Sequence, residues 1–97
     1  MDEYVSRKHK AYILVRVQPG KELEFFEELK ETSHIVAMDL VRGPYDFIIV
    51  TEGNEKEVDS VIFKIRKLPY ILGTETMMAF EAFPWEDISG RIDYDHF

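Results

Sequence analysis

Between residues 11 and 80 the apolar pattern of this chain reads strand, helix, strand, strand, helix, strand, one three-element unit used twice. Ala11 to Val17 (Ala-Tyr-Ile-Leu-Val-Arg-Val) is rich in β-branched and aromatic residues and stops at Gln18-Pro19-Gly20, the signature of a strand closed by a turn. From Lys21 to about Thr32, Leu23, Phe26 and Leu29 recur at helical spacing, and Phe25 widens the stripe. Glu22, Glu24, Glu27, Glu28 and Lys30 are then expected to face water. Ile35 to Val41 and Phe47 to Val50 read as the two strands of a hairpin, and Glu52-Gly53-Asn54 breaks the pattern. Val58, Val61, Ile62, Ile65 and Leu68 follow the spacing of a buried helical face. Asn54 and Glu57 are placed to form a capping box at its start, Lys64, Arg66 and Lys67 suit its negative end, and Pro69 stops it. A last strand runs from about Leu72 to Phe80. Two such units pack as an α+β, ferredoxin-like βαββαβ sandwich, an antiparallel four-stranded sheet with two helices on one face. Right-handed crossovers place the first and third strands at its centre.

Residues 1–10 read as a leader, residues 11–80 as the folded domain and residues 81–97 as an acidic C-terminal tail. The formal charge of −7 is uneven: residues 1–80 carry 11 basic and 14 acidic side chains, and the tail carries 1 basic and 5 acidic. A chain of this sign lacks the basic footprint that phosphate binding needs, so direct contact with nucleic acid is not expected. Arg7, Lys8 and Lys10 read as a solvated cluster. The absence of cysteine removes disulfides, thiolate metal sites and cysteine nucleophiles together. No apolar run approaches the roughly 20 residues that span a bilayer, and the chain reads as cytoplasmic, without a membrane partner.

Helices on one face of a sheet leave the other bare, and a solitary domain should then alternate apolar and polar residues along each strand. This chain does not. Tyr12 and Leu14 oppose Ile13 and Val15, Val36, Met38 and Leu40 oppose Ile35, Ala37 and Val41, and Phe47-Ile48-Ile49-Val50 is unbroken. So large a patch calls for a cover. The first choice is a second copy packed sheet against sheet about a two-fold axis. The rival is the tail, with Ala82, Phe83, Trp85, Ile88, Tyr94 and Phe97 folded back over the face.

The hairpin turn Arg42-Gly43-Pro44-Tyr45-Asp46 places a carboxylate and a phenol beside a tight reversal. A held Asp46 can grip an ammonium group through charge-assisted hydrogen bonds, although Asp also serves simply to finish a turn. Strand direction brings this turn, Pro19-Gly20 and the start of the last strand to one end of the sheet, so Asp46, Tyr45, Thr74 and Thr76 form a set suited to an amino acid. The third and last strands are separated by the first, about 9–10 Å at the usual spacing. A site shared between subunits, with turn residues from one and threonines from another, is therefore easier to build. Ordinary strand propensity is the alternative account of the threonines.

These residues carry a resemblance. Ala-Tyr-Ile-Leu-Val-Arg-Val-Gln-Pro-Gly-Lys-Glu at the start, Gly43-Pro44-Tyr45-Asp46, and Leu68-Pro69 followed by Thr74-Glu75-Thr76 resemble the effector-binding, or RAM, domain of the Lrp/AsnC family of amino-acid-responsive transcription regulators. The resemblance implies a homodimer through the sheets, assembly of dimers into higher oligomers, and an amino-acid effector bound near Gly43, Tyr45, Asp46, Thr74 and Thr76. Regulators of the family carry a helix-turn-helix ahead of this domain, and with ten residues before the first strand the chain looks like the stand-alone form. Where the family commonly has a glycine and an arginine, this chain has Tyr70 and Gly73.

Three functions follow as alternatives: an amino-acid sensor, a ligand-free partner of full-length Lrp/AsnC regulators, and a small cofactor-free oxygenase or isomerase. The enzyme would need an acid or base in a pocket. Its candidates, His9, His34 and His96, are scattered, no metal-ligand spacing or phosphate loop is present, and no cofactor is expected. The chain is read as a binding module, not an enzyme.

Overall fold

The computed structural model describes residues 9–80, which form β1 (His9–Val17), α1 (Glu22–Leu29), β2 (Ile35–Leu40), β3 (Phe47–Gly53), α2 (Glu55–Arg66) and β4 (Ile71–Met78). The four strands make one sheet in the order β2-β3-β1-β4, with every neighbouring pair antiparallel. This is the α+β, ferredoxin-like arrangement that the element order predicts. Most of the leader, the whole tail, and with them His96 and the tail residues weighed as a cover for the sheet, lie outside the described residues.

The core is the layer between sheet and helices. Ala11, Ile13, Val15 and Val17 of β1 and Phe47 and Ile49 of β3 meet Phe25 and Leu29 of α1 and Val58, Val61 and Ile65 of α2. Phe25 packs on Phe47 with ring centroids 4.8 Å apart, and Tyr70 meets Phe25 edge-on at 6.4 Å. The capping box at α2 is complete: the Asn54 side chain accepts from the Glu57 N–H and the Glu57 carboxylate accepts from the Asn54 N–H, both at 2.8 Å. Lys64 Nζ donates to Thr32 Oγ1 at 2.8 Å, which ties α2 to the segment behind α1.

Two local expectations are corrected. The first helix is shorter than Lys21 to Thr32, and its buried pair is Phe25 and Leu29. Leu23 and Phe26 stay 70% and 42% exposed and line a groove of about 420 Å³ with Met38, Leu40 and Phe47. Phe25 and Leu29 lie one turn apart and face the sheet together, while Leu23 and Phe26 look past its β2 edge. The second strand also departs from simple alternation. A bulge between Ile35 and Ala37 pairs Ile35 with Thr51, Met38 with Ile49 and Leu40 with Phe47, so all three lie on the helix side. Ala37 and Asp39, opposite Val50 and Ile48, are left on the other face.

Phe25→Ala should therefore destabilise the protein by about 3–5 kcal/mol, and Leu23→Ala by under about 1 kcal/mol, in urea unfolding at matched protein concentration. Equal losses would contradict the burial described.

Candidate functional site

The open face of the sheet is built from Lys10, Tyr12, Leu14 and Arg16 of β1, their β3 neighbours Ile48, Val50 and Glu52, and Gly73, Glu75 and Met77 of β4. Its middle is apolar and its two ends are charged. At one end Lys10 Nζ lies 3.9 Å from Glu52 and 5.4 Å from the centre of the Tyr12 ring. At the other end stand Arg16, Glu75 and the hairpin.

The hairpin is held by backbone and side chain. The Val41 N–H donates to Asp46 O at 2.8 Å and the Asp46 N–H to Val15 O at 2.9 Å. The Asp46 side chain then accepts from the Val17 N–H through Oδ2 at 2.8 Å, where the pairing of β1 with β4 shifts register between Arg16 and Val17. Asp46 thus fastens the hairpin to the end of β1. Gly43 takes a φ of 157°, which side chains with a Cβ rarely adopt, and this lets the loop swing over the open face.

Tyr45 reaches across β1 and donates its hydroxyl to Glu75 Oε1 at 2.5 Å. That hydrogen bond is the main cause raising the Tyr45 phenol above its ordinary pKa, with some help from partial burial and the Glu75 charge and opposition from Arg16. The phenol accordingly remains a donor throughout the neutral range. Glu75, which stands between the two threonines, was not among the residues singled out from sequence. The signal available was its alternation: Thr74 and Thr76 are opposite Val15 and Ile13 on the helix side, whereas Glu75 is opposite Leu14 on the open face.

The structure therefore brings Tyr45 and Asp46 to one end of the sheet, with Gly43 in the loop above, and directs Thr74 and Thr76 to the opposite face of β4. The five residues do not converge within one chain. Beneath the loop, Leu14, Val41, Arg42, Gly43, Pro44, Tyr45 and Ile48 line a hollow of about 280 Å³. Of the histidines weighed for catalysis, His9 is exposed at the start of β1. His34 sits at φ 73° with Nε2 3.4 Å from the Glu57 carboxylate, far along the sheet from the hairpin. No group of three or more His, Cys, Asp or Glu is arranged to hold a metal among the described residues.

No family model matches the chain. Individual proteins do. The crystal structure of FFRP-DM1 superposes with a TM-score of 0.69 at 38% identity, covering 74% of this chain and 99% of that one. The chain belongs to the Lrp/AsnC family. This RAM domain is also 30% identical over 73 residues to the HTH-type transcriptional regulator FL11 of Pyrococcus horikoshii, across 74% of the chain and 48% of the regulator. It thus spans about half the length of the curated relatives it matches. AsnC of E. coli shares the fold at 15% identity and a TM-score of 0.70, over 84% of this chain and 57% of AsnC. So does a feast or famine regulatory protein of M. tuberculosis, solved in complex with L-methionine, at 13% identity and a TM-score of 0.66 over 87% and 58% of the two chains. No described helix of this RAM domain is long and apolar enough to cross a membrane.

Replacing Asp46 by Ala removes the acceptor of the Val17 N–H and should cost about 1–2 kcal/mol. Asp46→Asn keeps an oxygen there and should cost less. Thermal melts of the two variants give the comparison, and an Asp46→Ala melt equal to the wild type's would mean that the Val17 bond contributes nothing.

Proposed function

We propose that this RAM domain is an amino-acid effector-binding and oligomerisation module related to Lrp/AsnC transcription regulators, not an enzyme. A free amino acid is bound where subunits meet, with Gly43, Tyr45 and Asp46 contributed by one chain and Thr74 and Thr76 by another. The observation that carries this reading is the split of the residue set: hairpin and threonines point from opposite faces of the sheet, so only a second chain can bring the two halves to one ligand. The relative solved with L-methionine supports the class of ligand. The reading places the domain in the cytoplasm, beside regulators of its family, and leaves contact with DNA to other chains.

The open face supports the dimer. Tyr12, Leu14, Ile48, Val50 and Met77 form an apolar surface ringed by charges, the composition of an interface centre with a polar rim. A twin molecule laid over it about a two-fold axis would remove these side chains from water at about 25 cal/mol per Å². Higher assembly of such dimers then offers the contact at which threonines of one chain face the hairpin of another.

Leu14→Asp is expected to yield a monomer of 11.5 kDa, because one buried unpaired carboxylate per chain outweighs most of what an apolar contact gains. Light scattering across a hundredfold range of concentration would detect it, and an unchanged dimer would refute the sheet-to-sheet contact. Calorimetry against the twenty amino acids tests the ligand. Thr74→Val with Thr76→Val should weaken binding of whichever amino acid scores best by about tenfold, one to two neutral hydrogen bonds' worth, while leaving the dimer intact. A dimer that binds none of the twenty would favour the alternative of a ligand-free partner for full-length regulators.

A further inference from the structure

Strand β2 ends the sheet on the side away from β4, and large apolar side chains crowd its outer edge. Leu23 of α1 and Val36 and Leu40 of β2 are each more than half exposed. Between helix and edge lie two adjoining hollows. The groove of about 420 Å³ continues into a second of about 310 Å³ walled by Leu29, Ile35, Val36 and Ala37, and Phe26 and Met38 belong to both. A bare edge offers its free N–H and C=O groups to any extended chain, and natural sheets guard such edges with charges, bulges or a cover. The six residues of β2 carry a single charge, Asp39, and the bulge lies at the Ile35 end, so the stretch from Met38 to Leu40 calls for a cover.

The shape of the groove says what kind of cover fits. The smaller hollow lies beside Ile35 and Met38 and the larger beside Met38 and Leu40, so the two follow one another along the strand. A segment hydrogen-bonded to the edge would send alternate side chains, about 6.6 Å apart, into them. An aliphatic chain suits the smaller hollow and an aromatic ring the larger. The intervening residues would point away from the helices and can be charged.

The chain itself holds such a segment. Arg91-Ile92-Asp93-Tyr94-Asp95 alternates charged with apolar residues, and the ring of Tyr94 comes two residues after the branched Ile92. Its route is short. The Ala79 N–H donates to Lys10 O at 2.8 Å, and Met78 lies in one row across the sheet with Ala11, Thr51 and Ile35. The chain therefore leaves β4 at the end of the sheet where β2 begins. The outer side of β2 is four strand spacings away, about 19 Å, which about six extended residues cross. Asp87 to Phe97 are left to run beside β2. FFRP-DM1, matched over 99% of its length by 74% of this chain, has no counterpart to the remaining quarter.

We infer that Arg91–Asp95 of the tail adds to the sheet as a fifth strand along the outer edge of β2 and parallel to it, with Ile92 in the hollow beside Ile35 and Tyr94 in the hollow beside Leu40. The tail thus guards the edge rather than the open face, which stays available to a second copy. The sheet-to-sheet dimer and the amino-acid site stand or fall independently of this placement.

The chain has no cysteine, so a pair of introduced thiols reports one contact. Leu23→Cys with Tyr94→Cys in the full chain, oxidised at low protein concentration, should close a disulfide within single chains, read by mass and on a non-reducing gel. Tyr12→Cys with Tyr94→Cys, which probes the open face, should not. Leu23 lies outside the sealed core, so the fold survives the first pair. In a second measurement, hydrogen exchange of the amides of residues 35–40 should be at least tenfold faster in Ile92→Asp with Tyr94→Asp than in the wild type. A Leu23–Tyr94 disulfide formed only between two chains would give the edge to the tail of a second copy and overturn the inference. A within-chain disulfide from the Tyr12 pair would overturn it in favour of the open face, and unchanged exchange along β2 would overturn it by showing the edge uncovered in the wild type.

Discussion

Strand β1 holds the molecule together because both of its faces and both of its edges are in use. Ala11, Ile13, Val15 and Val17 are sealed under the helices, Tyr12 and Leu14 stand on the open face, and β3 and β4 pair along its two sides. Burying a branched or aromatic side chain stabilises by about 1.5–3 kcal/mol, and β1 contributes four apolar residues to the sealed face alone. Everything that can bind or assemble is positioned relative to this strand. The hairpin is clasped to its end by Asp46, the Tyr45–Glu75 bond crosses over it, and Arg16 projects from it.

The arrangement explains how a loop can be a dependable element of a site. A turn joined only to its own strands would fray. Here the backbone bond from Asp46 to Val15 and the carboxylate bond from Val17 tie the loop to a third strand, and the phenol of Tyr45 ties its tip to a fourth. Charge-assisted bonds of this sort are about twice as strong as neutral ones. Pre-organisation of the loop lowers the ordering cost of binding, which is where affinity for a small molecule is most often lost.

Strand order, helix count and the cap of α2 were legible in the sequence because each rests on a local signal: period-two runs, the Val58-to-Leu68 stripe, Asn54 followed by Glu57. The buried face of α1 was not, since Leu23, Phe25, Phe26 and Leu29 offer two overlapping stripes and only the position of the β2 edge decides between them. The face of Ile35 was hidden by the bulge, which turns one residue of strand without leaving a mark in composition. At the candidate site the hairpin was legible from Gly43 and Pro44, and its closeness to the start of β4 from strand direction. Glu75 was missed because a glutamate between threonines looks like an ordinary solvent-facing position. Its meaning comes from Tyr45, thirty residues away.

Because β1 is flanked by β4, residue 11 finds its partner at residue 78. During synthesis the amino-terminal strand emerges early and must wait, one edge unzipped, until nearly the whole domain has left the ribosome. Contacts of such long sequence separation are slow to close and leave sticky intermediates in the interval. A growing polypeptide of this design is thus vulnerable to mispairing with its neighbours on the same message, and the unzipped edge of β1 is the place where a chaperone would be most useful.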